Sequence, residues 1–245
     1  MLKDHQDAFG HEIYDFLKNI GDKEEIIERN DGYFDTSGGP KAYFREYNDW
    51  PPDEKKAMRY ARGRVLDIGS GAGRHSLYLQ AKGLKVLGID NSPLAIEVCK
   101  LRGLKNAQLV PINQINSKLG IFDTVLMLGN NFGLFGSFAD AKRLLKRLVK
   151  ITSESGRIIA QSNDIYRTKD PAHLSYQKLN RKRGRMAGQV RIRVRYMKYA
   201  SPWFDYLLVS KEEMENILEG TGWKVNKFIE SEGSVYIAII DKVRK

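Results

Sequence analysis

The sequence predicts an α/β fold, a doubly wound, mostly parallel sheet of seven strands whose last strand runs antiparallel. Three observations predict it. From Arg64 onward, short β-branched runs alternate with segments of helical period, as repeated βαβ units do. The first run, "RVLDIG", leads directly into glycines at positions 69, 71 and 73, the residue type that a sharp strand-to-helix turn requires. The two final apolar runs, "KVNKFIE" and "SVYIAII", are separated only by Ser231 to Gly233, too short a link for a parallel crossover.

The elements follow in order. Residues 1–60 read as a helical, aromatic N-terminal extension. Its "GYFDTSGGPKAYFREYNDWPP" gathers Tyr33, Phe34, Tyr43, Phe44, Tyr47 and Trp50, either as a lid over a ligand or as a hydrophobic brace beneath the sheet. After the first strand, "AGRHSLYLQAKG" is a helix ended by Gly83, and "KVLGID" is the second strand. "SPLAIEVCKLRG" is a helix with Ser92 as N-cap, Pro93 at its first position and Gly103 as its stop. "AQLV" and "FDTVLML" are strands three and four. "AKRLLKRLVKIT" is an amphipathic helix with Leu144, Leu145, Leu148 and Val149 on one face and basic residues on the other. "GRIIAQS" is strand five, and "KEEMENILEG" is the helix before the terminal hairpin. Between them lies an insertion, residues 164–210, read as a β-hairpin. Its strand "QVRIRVRYMKY" sets Val190, Ile192, Val194 and Tyr196 on one face and Arg191, Arg193 and Arg195 on the other. "WFDYLLVS" supplies an antiparallel partner, and the arginines face phosphate or carboxylate, solvent, or a second copy of the chain.

Composition narrows the function. A chain of 245 residues that is 42% hydrophobic can bury one substantial core. Charge begins at once in residues 1–6, and no run approaches the roughly 18 apolar residues of a membrane span, so a soluble, cytoplasmic protein with no membrane partner is expected. Cys99 is the sole cysteine, which excludes an internal disulfide and a thiolate metal cluster, and no metal site is expected. The net charge of +11 is concentrated: residues 141–200 hold 17 Lys+Arg against 3 Asp+Glu, or +14. Such a block receives nucleic acid, an acidic membrane or an anionic substrate, or is simply a solvated surface.

A dinucleotide fingerprint wants glycine at 69, 71 and 74, but position 74 is Arg, and Asp67 precedes the first glycine by two residues. "VLDIGSGAG" instead resembles motif I of the class I S-adenosylmethionine-dependent methyltransferases, which are Rossmann-like. Asp90 at the end of the second strand and the strand order from Arg64 to Asp241 extend the resemblance. It implies a methyltransferase domain over residues 61–245, with residues 164–210 on the substrate side, using S-adenosylmethionine and releasing S-adenosylhomocysteine. It further implies that Gly69, Ser70 and Gly71 lie against the methionine and ribose of the cofactor, with Gly73 completing the loop or packing helix on strand. Asp90 would hold both ribose hydroxyls, and Asn91 would flank the adenine. Asp67 would act through the cofactor's amino group or an ordered water, or else only tie down the loop. Where relatives often place an acid for the adenine amino group, this chain offers Asn113 or the backbone of Ile112, while the backbone at Leu128 and Gly129 would meet the amino acid moiety.

A sulfonium is already activated, so such an enzyme needs chiefly to align the acceptor and exclude water, and no catalytic residue is assigned. His75 reads as a local packing or hydrogen-bonding residue ahead of a catalytic one, and Cys99 as buried filler. Asn130 and Asn131 form a turn or orient a polar acceptor. The expected activity is methyl transfer to a small molecule, anionic ones included. The alternatives are an RNA methyltransferase using residues 141–200 and a non-catalytic protein that binds the cofactor; the paired acids of a polyamine-handling aminopropyl transferase are not evident.

Overall fold

The computed structural model describes residues 2–243; Met1, Arg244 and Lys245, which fall within the expected spans 1–60 and 61–245, lie outside it. In chain order the elements are α1 (Ala8–Leu17), β1 (Ile26–Arg29), β2 (Phe34–Thr36), α2 (Lys41–Phe44), α3 (Pro52–Met58), β3 (Arg64–Ile68), α4 (Arg74–Ala81), β4 (Lys85–Asp90), α5 (Pro93–Leu101), β5 (Ala107–Leu109), β6 (Phe122–Met127), α6 (Phe138–Val149), β7 (Thr152–Asn163), α7 (Pro171–Lys182), β8 (Gln189–Tyr196), β9 (Tyr199–Ala200), β10 (Phe204–Leu207), α8 (Lys211–Leu218), β11 (Trp223–Glu230) and β12 (Val235–Lys242). None of these helices is long and apolar enough to cross a membrane.

The larger sheet has the order β11-β12-β7-β6-β3-β4-β5. Parallel pairing joins β3 to β4, β4 to β5 and β6 to β7, and β12 runs antiparallel to both β7 and β11. Seven strands and an antiparallel last strand are what the sequence predicts. The parallel strands are apolar almost throughout, with Val65, Leu66, Ile68, Leu87 and Ile89 at most 4% exposed, as befits strands covered on both faces. Ser92 accepts a hydrogen bond from the Ala95 N–H and Pro93 opens α5, so that helix starts where the sequence places it.

The second sheet, of five strands, corrects two expectations. Its order is β10-β8-β1-β2, with β9 also on β8, so the N-terminal extension is not simply helical. Its β1 pairs antiparallel with β2 on one side and with β8 on the other, Ile27 opposite Val194 and Arg29 opposite Ile192. The insertion, in turn, is not only a hairpin, since it begins with the twelve-residue helix α7, capped by Asp170 and opened by Pro171. Of the predicted apolar face of β8, Ile192 and Tyr196 are buried and Val190 and Val194 half-buried, while Gln189 of the opposite set is buried too. Two of its arginines meet a carboxylate within the chain: Arg193 reaches Glu28 of β1 with a bidentate pair at 2.6 and 3.0 Å, and Arg195 adds a third bond at 3.3 Å. Arg193 correspondingly holds the Glu28 carboxyl below its ordinary range.

The chain divides into two compact units. The first holds the residues up to Trp50, Arg64–Gln114 and Arg191–Phe204; the second holds Pro51–Gly63, Ile115–Val190 and the chain from Asp205 on.

Candidate cofactor site

The site is built in the first unit, where β3 turns into α4. Gly69, Gly71 and Gly73 all have positive φ, at 72°, 53° and 78°, which L side chains rarely adopt. The N–H groups of Gly69 and Ser70 both donate to the Ile89 carbonyl, at 2.9 and 3.0 Å, tying the turn to the end of β4. Space reinforces conformation. A Cβ on Gly73 would stand 3.0 Å from Cys99 Sγ, and one on Gly71 would stand 3.3 Å from the Phe9 ring. Cys99 is wholly buried, and its thiol donates to the Gly71 carbonyl at 3.2 Å while burial pushes its pKa up to about 12. It is therefore a structural prop of the loop and not a nucleophile.

Asp90 occupies the carboxyl end of β4, where a doubly wound fold presents ligands. Its Oδ2 accepts from the Gly71 N–H and its Oδ1 from the Ser92 N–H, both at 3.0 Å. Each oxygen keeps a further lone pair, so the carboxylate can still accept from two hydroxyls. Burial is the largest influence on it and raises its pKa to about 6, against the two N–H donors and in concert with the nearby Asp7 carboxylate. Asp67 accepts from Ser76 Oγ at 2.7 Å and is 3% exposed, with burial holding its pKa above the ordinary value. That bond ties strand β3 to helix α4. Asn91 is exposed, and its carbonyl accepts from the Leu2 N–H at 3.5 Å. Ile112 and Asn113 lie on a 3₁₀ turn, the former half-buried and the latter exposed.

In the second unit, Leu128 is buried directly after β6. The N–H groups of Gly129 and Asn130 converge on Gln161 Oε1 at 2.6 and 3.1 Å, and the Tyr206 hydroxyl donates to the Asn130 carbonyl at 2.6 Å. Asn130 has a φ of 61°, the left-handed conformation that Asn tolerates, which fits the turn-forming role.

His75 is 8% exposed and meets Trp50 edge-on at 4.8 Å, a packing role. The aromatic segment divides. Tyr47 stacks flat on Tyr78 of α4 at 4.4 Å, and Trp50 bonds the Arg45 carbonyl, so this part braces α4. Tyr43 packs with Phe9 near the glycine loop, Tyr33 lies under Arg29, and Phe34 is 55% exposed.

Several residues escape sequence reading. Asp7 caps α1 by accepting from the Gly10 N–H at 3.1 Å, and its other oxygen accepts from the Leu94 N–H of α5 at 3.1 Å. The same helix carries Phe9 to Gly71. A buried Asp at a helix start is an ordinary N-cap signal, but nothing in the sequence announces its second bond, to residue 94. Gln161 and Tyr206 give no local signal at all.

The glycine cradle and a buried carboxylate with free lone pairs fit a nucleoside with two hydroxyls and no phosphate. Comparisons with known proteins agree. Residues 65–156 match the sequence model of a family described as a methyltransferase domain. Over 99% of this chain and 98% of the other, the fold superposes with a TM-score of 0.84 and 27% identity on an S-adenosylmethionine-dependent methyltransferase from Bacteroides fragilis, crystallised with S-adenosyl-L-homocysteine. Among curated proteins, a tRNA (uracil(54)-C(5))-methyltransferase of Pyrococcus horikoshii is 33% identical over 88 residues, 33% of this chain and 21% of that protein. A glycine/sarcosine N-methyltransferase of Parasynechococcus marenigrum is 28% identical over 101 residues, 39% of this chain and 36% of that protein. These alignments thus span well under two thirds of either curated relative. The fold is Rossmann-like, with a glycine cradle whose geometry suits a nucleoside. Residues 65–156 thus match a methyltransferase domain, and the whole chain shares the fold of an S-adenosylmethionine-dependent methyltransferase.

Proposed function

We propose that this chain transfers the sulfonium methyl of S-adenosylmethionine to a small-molecule acceptor. The observation that carries the choice is the cover on the cofactor loop: α1 sets Phe9 against Gly71 and is fastened to α5 through Asp7, an enclosure suited to a compact acceptor. Asp90 would hold the two ribose hydroxyls, with Gly69, Ser70 and Gly71 giving close backbone approach. Asp67 keeps α4 in place through Ser76. Asn91, with Asn113 or the Ile112 backbone, would take the adenine end. The cofactor supplies an electrophilic methyl; the chain binds, orients and excludes water.

A second acceptor class, RNA, is favoured by a specific feature: Lys178, Arg181, Lys182, Arg183 and Arg185 are all exposed at and just beyond the end of α7. Incubation with S-adenosylmethionine carrying a labelled methyl group decides between them. Label is expected in the dialysable fraction of a metabolite extract. Label in total RNA, with binding that steepens as salt falls, would overturn the small-molecule reading. Binding of S-adenosylhomocysteine with no transfer to either fraction would favour a non-catalytic cofactor-binding protein.

A further inference from the structure

The first unit holds another buried polar cluster, on the lid helix itself, that cofactor binding does not use. Glu12 on α1 and Glu25, the residue before β1, are 0% and 1% exposed. The Glu25 N–H donates to Glu12 Oε1 at 3.2 Å, and the Tyr43 hydroxyl of α2 donates to Glu25 Oε1 at 2.6 Å. The remaining oxygen of each carboxyl, Oε2, is buried with no hydrogen-bond partner outside the pair. The neighbouring charges are acidic too. Glu24 faces Glu12, and one turn further along α1 Asp15 accepts from the Tyr196 hydroxyl of β8 at 3.1 Å, with Asp22 close to that same hydroxyl. Among the described residues no lysine or arginine pairs with Glu12 or Glu25, although the chain carries a surplus of eleven positive charges.

Two carboxyls held together away from water cannot both ionise. Burial, and then the adjacent Glu25, push Glu12 up to about 10, so the pair retains one proton at neutral pH. An arrangement that opposes folding in this way is uncommon without a use. What the pair lacks is a positively charged donor with several N–H groups, and aromatic surface beside it comes from Tyr43 and from Phe9, which meet edge-on at 4.9 Å. Phe9 is also the ring against Gly71, so a single turn of α1 joins this cluster to the cofactor loop.

We propose that Glu12, Glu25 and Tyr43 form an amine subsite that receives the ammonium group of the methyl acceptor; its identification with the acceptor rests on the methyltransferase reading above. Ammonium N–H groups donate to the two Oε2 atoms, and the proton held by the pair leaves to solvent. One positive charge enters and one departs, so the buried charge is unchanged while the pair exchanges its shared proton for several N–H donors.

The test is calorimetric titration of the S-adenosylhomocysteine-saturated protein with 2-phenylethylamine, agmatine and spermidine, repeated in buffers of different ionisation enthalpy, with 2-phenylethanol as the uncharged control. At least one amine is expected to bind at pH 7.5 with release of about one proton per site, and the alcohol is not. Glu12→Gln and Glu25→Gln, each checked for a cooperative melt, are expected to weaken that amine at least ~30-fold and to abolish proton release. Binding of none of the three amines would overturn the subsite, as would unchanged affinity in both folded glutamine variants, or binding without proton release. A separate titration of the free protein with S-adenosylhomocysteine alone distinguishes the two levels: if it fails, the methyltransferase reading fails, whatever the amines do.

Discussion

Asp90 and Glu12 are both buried carboxyls in the same unit, yet their surroundings leave them in opposite conditions. Asp90 sits where two loop N–H groups converge, so both its oxygens are partnered and burial raises it only to about 6. Glu12 has one backbone donor for one oxygen and another carboxyl beside it, and it rises to about 10. Burial is the leading cause in both cases, and the donors decide the outcome. A carboxylate at the mouth of a glycine turn is kept ionised at neutral pH, whereas a pair between helix and strand keeps a proton.

The largest effect expected from breaking the contrast is on the Asp90 side. Asp90→Ala should weaken S-adenosylhomocysteine binding by about 1 to 3 kcal/mol, through loss of charge-assisted bonds to two hydroxyls. In the unaltered protein the same affinity should hold above pH 6 and fall as pH drops through 6, since only the ionised carboxylate accepts from both hydroxyls. Titration calorimetry from pH 5 to 8 checks both, and a flat profile would remove Asp90 from the site. Next comes Glu12. Its folded pKa lies above its unfolded value of 4.5, so its contribution to stability is complete below pH 4.5 and is progressively lost as pH climbs toward 10. Glu12→Gln removes that dependence and should stabilise the protein by about 1 kcal/mol or more at pH 8, with a melting temperature higher by roughly 2 to 4 °C and a smaller gain at pH 5. Equal melting of the two proteins at both pH values would mean that Glu12 is ionised and solvated. The smallest effect belongs to Tyr206→Phe, which deletes one buried bond to the Asn130 carbonyl and should cost about 0.5 to 1.5 kcal/mol in denaturant unfolding.

The same two carboxyls show what the sequence discloses. Asp90 is legible because strand, glycines and cap are local signals: "KVLGID" ends where "NSP" begins a helix, and three glycines two apart mark the turn. The run from β3 to α5 is read correctly for that reason, with Ser92 in its predicted capping role. Glu12 and Glu25 are two unremarkable acids in a charged stretch until α1 folds back on the chain before β1. Likewise "IIER" is too short to announce a strand, because its partner β8 lies some 165 positions away, and a turn signal fixes register only between neighbours. The helix α7 was hidden by its basic composition, since "LNRKRGR" reads first as charge and only second as a helical face. His75 shows the opposite hazard. A titratable ring just after a glycine loop invites chemistry, while its contact with Trp50 is supplied by a segment 25 residues earlier.

The pairing of β1 with β8 also sets an order of events during synthesis. As the chain is made, Ile26–Arg29 emerges long before residues 192–195 exist, so one side of that strand has no mate until some 165 further residues have been translated. Over that interval its exposed edge is open to strands of other molecules. Charges on a strand edge disfavour such pairing, and this segment carries two, Glu28 and Arg29.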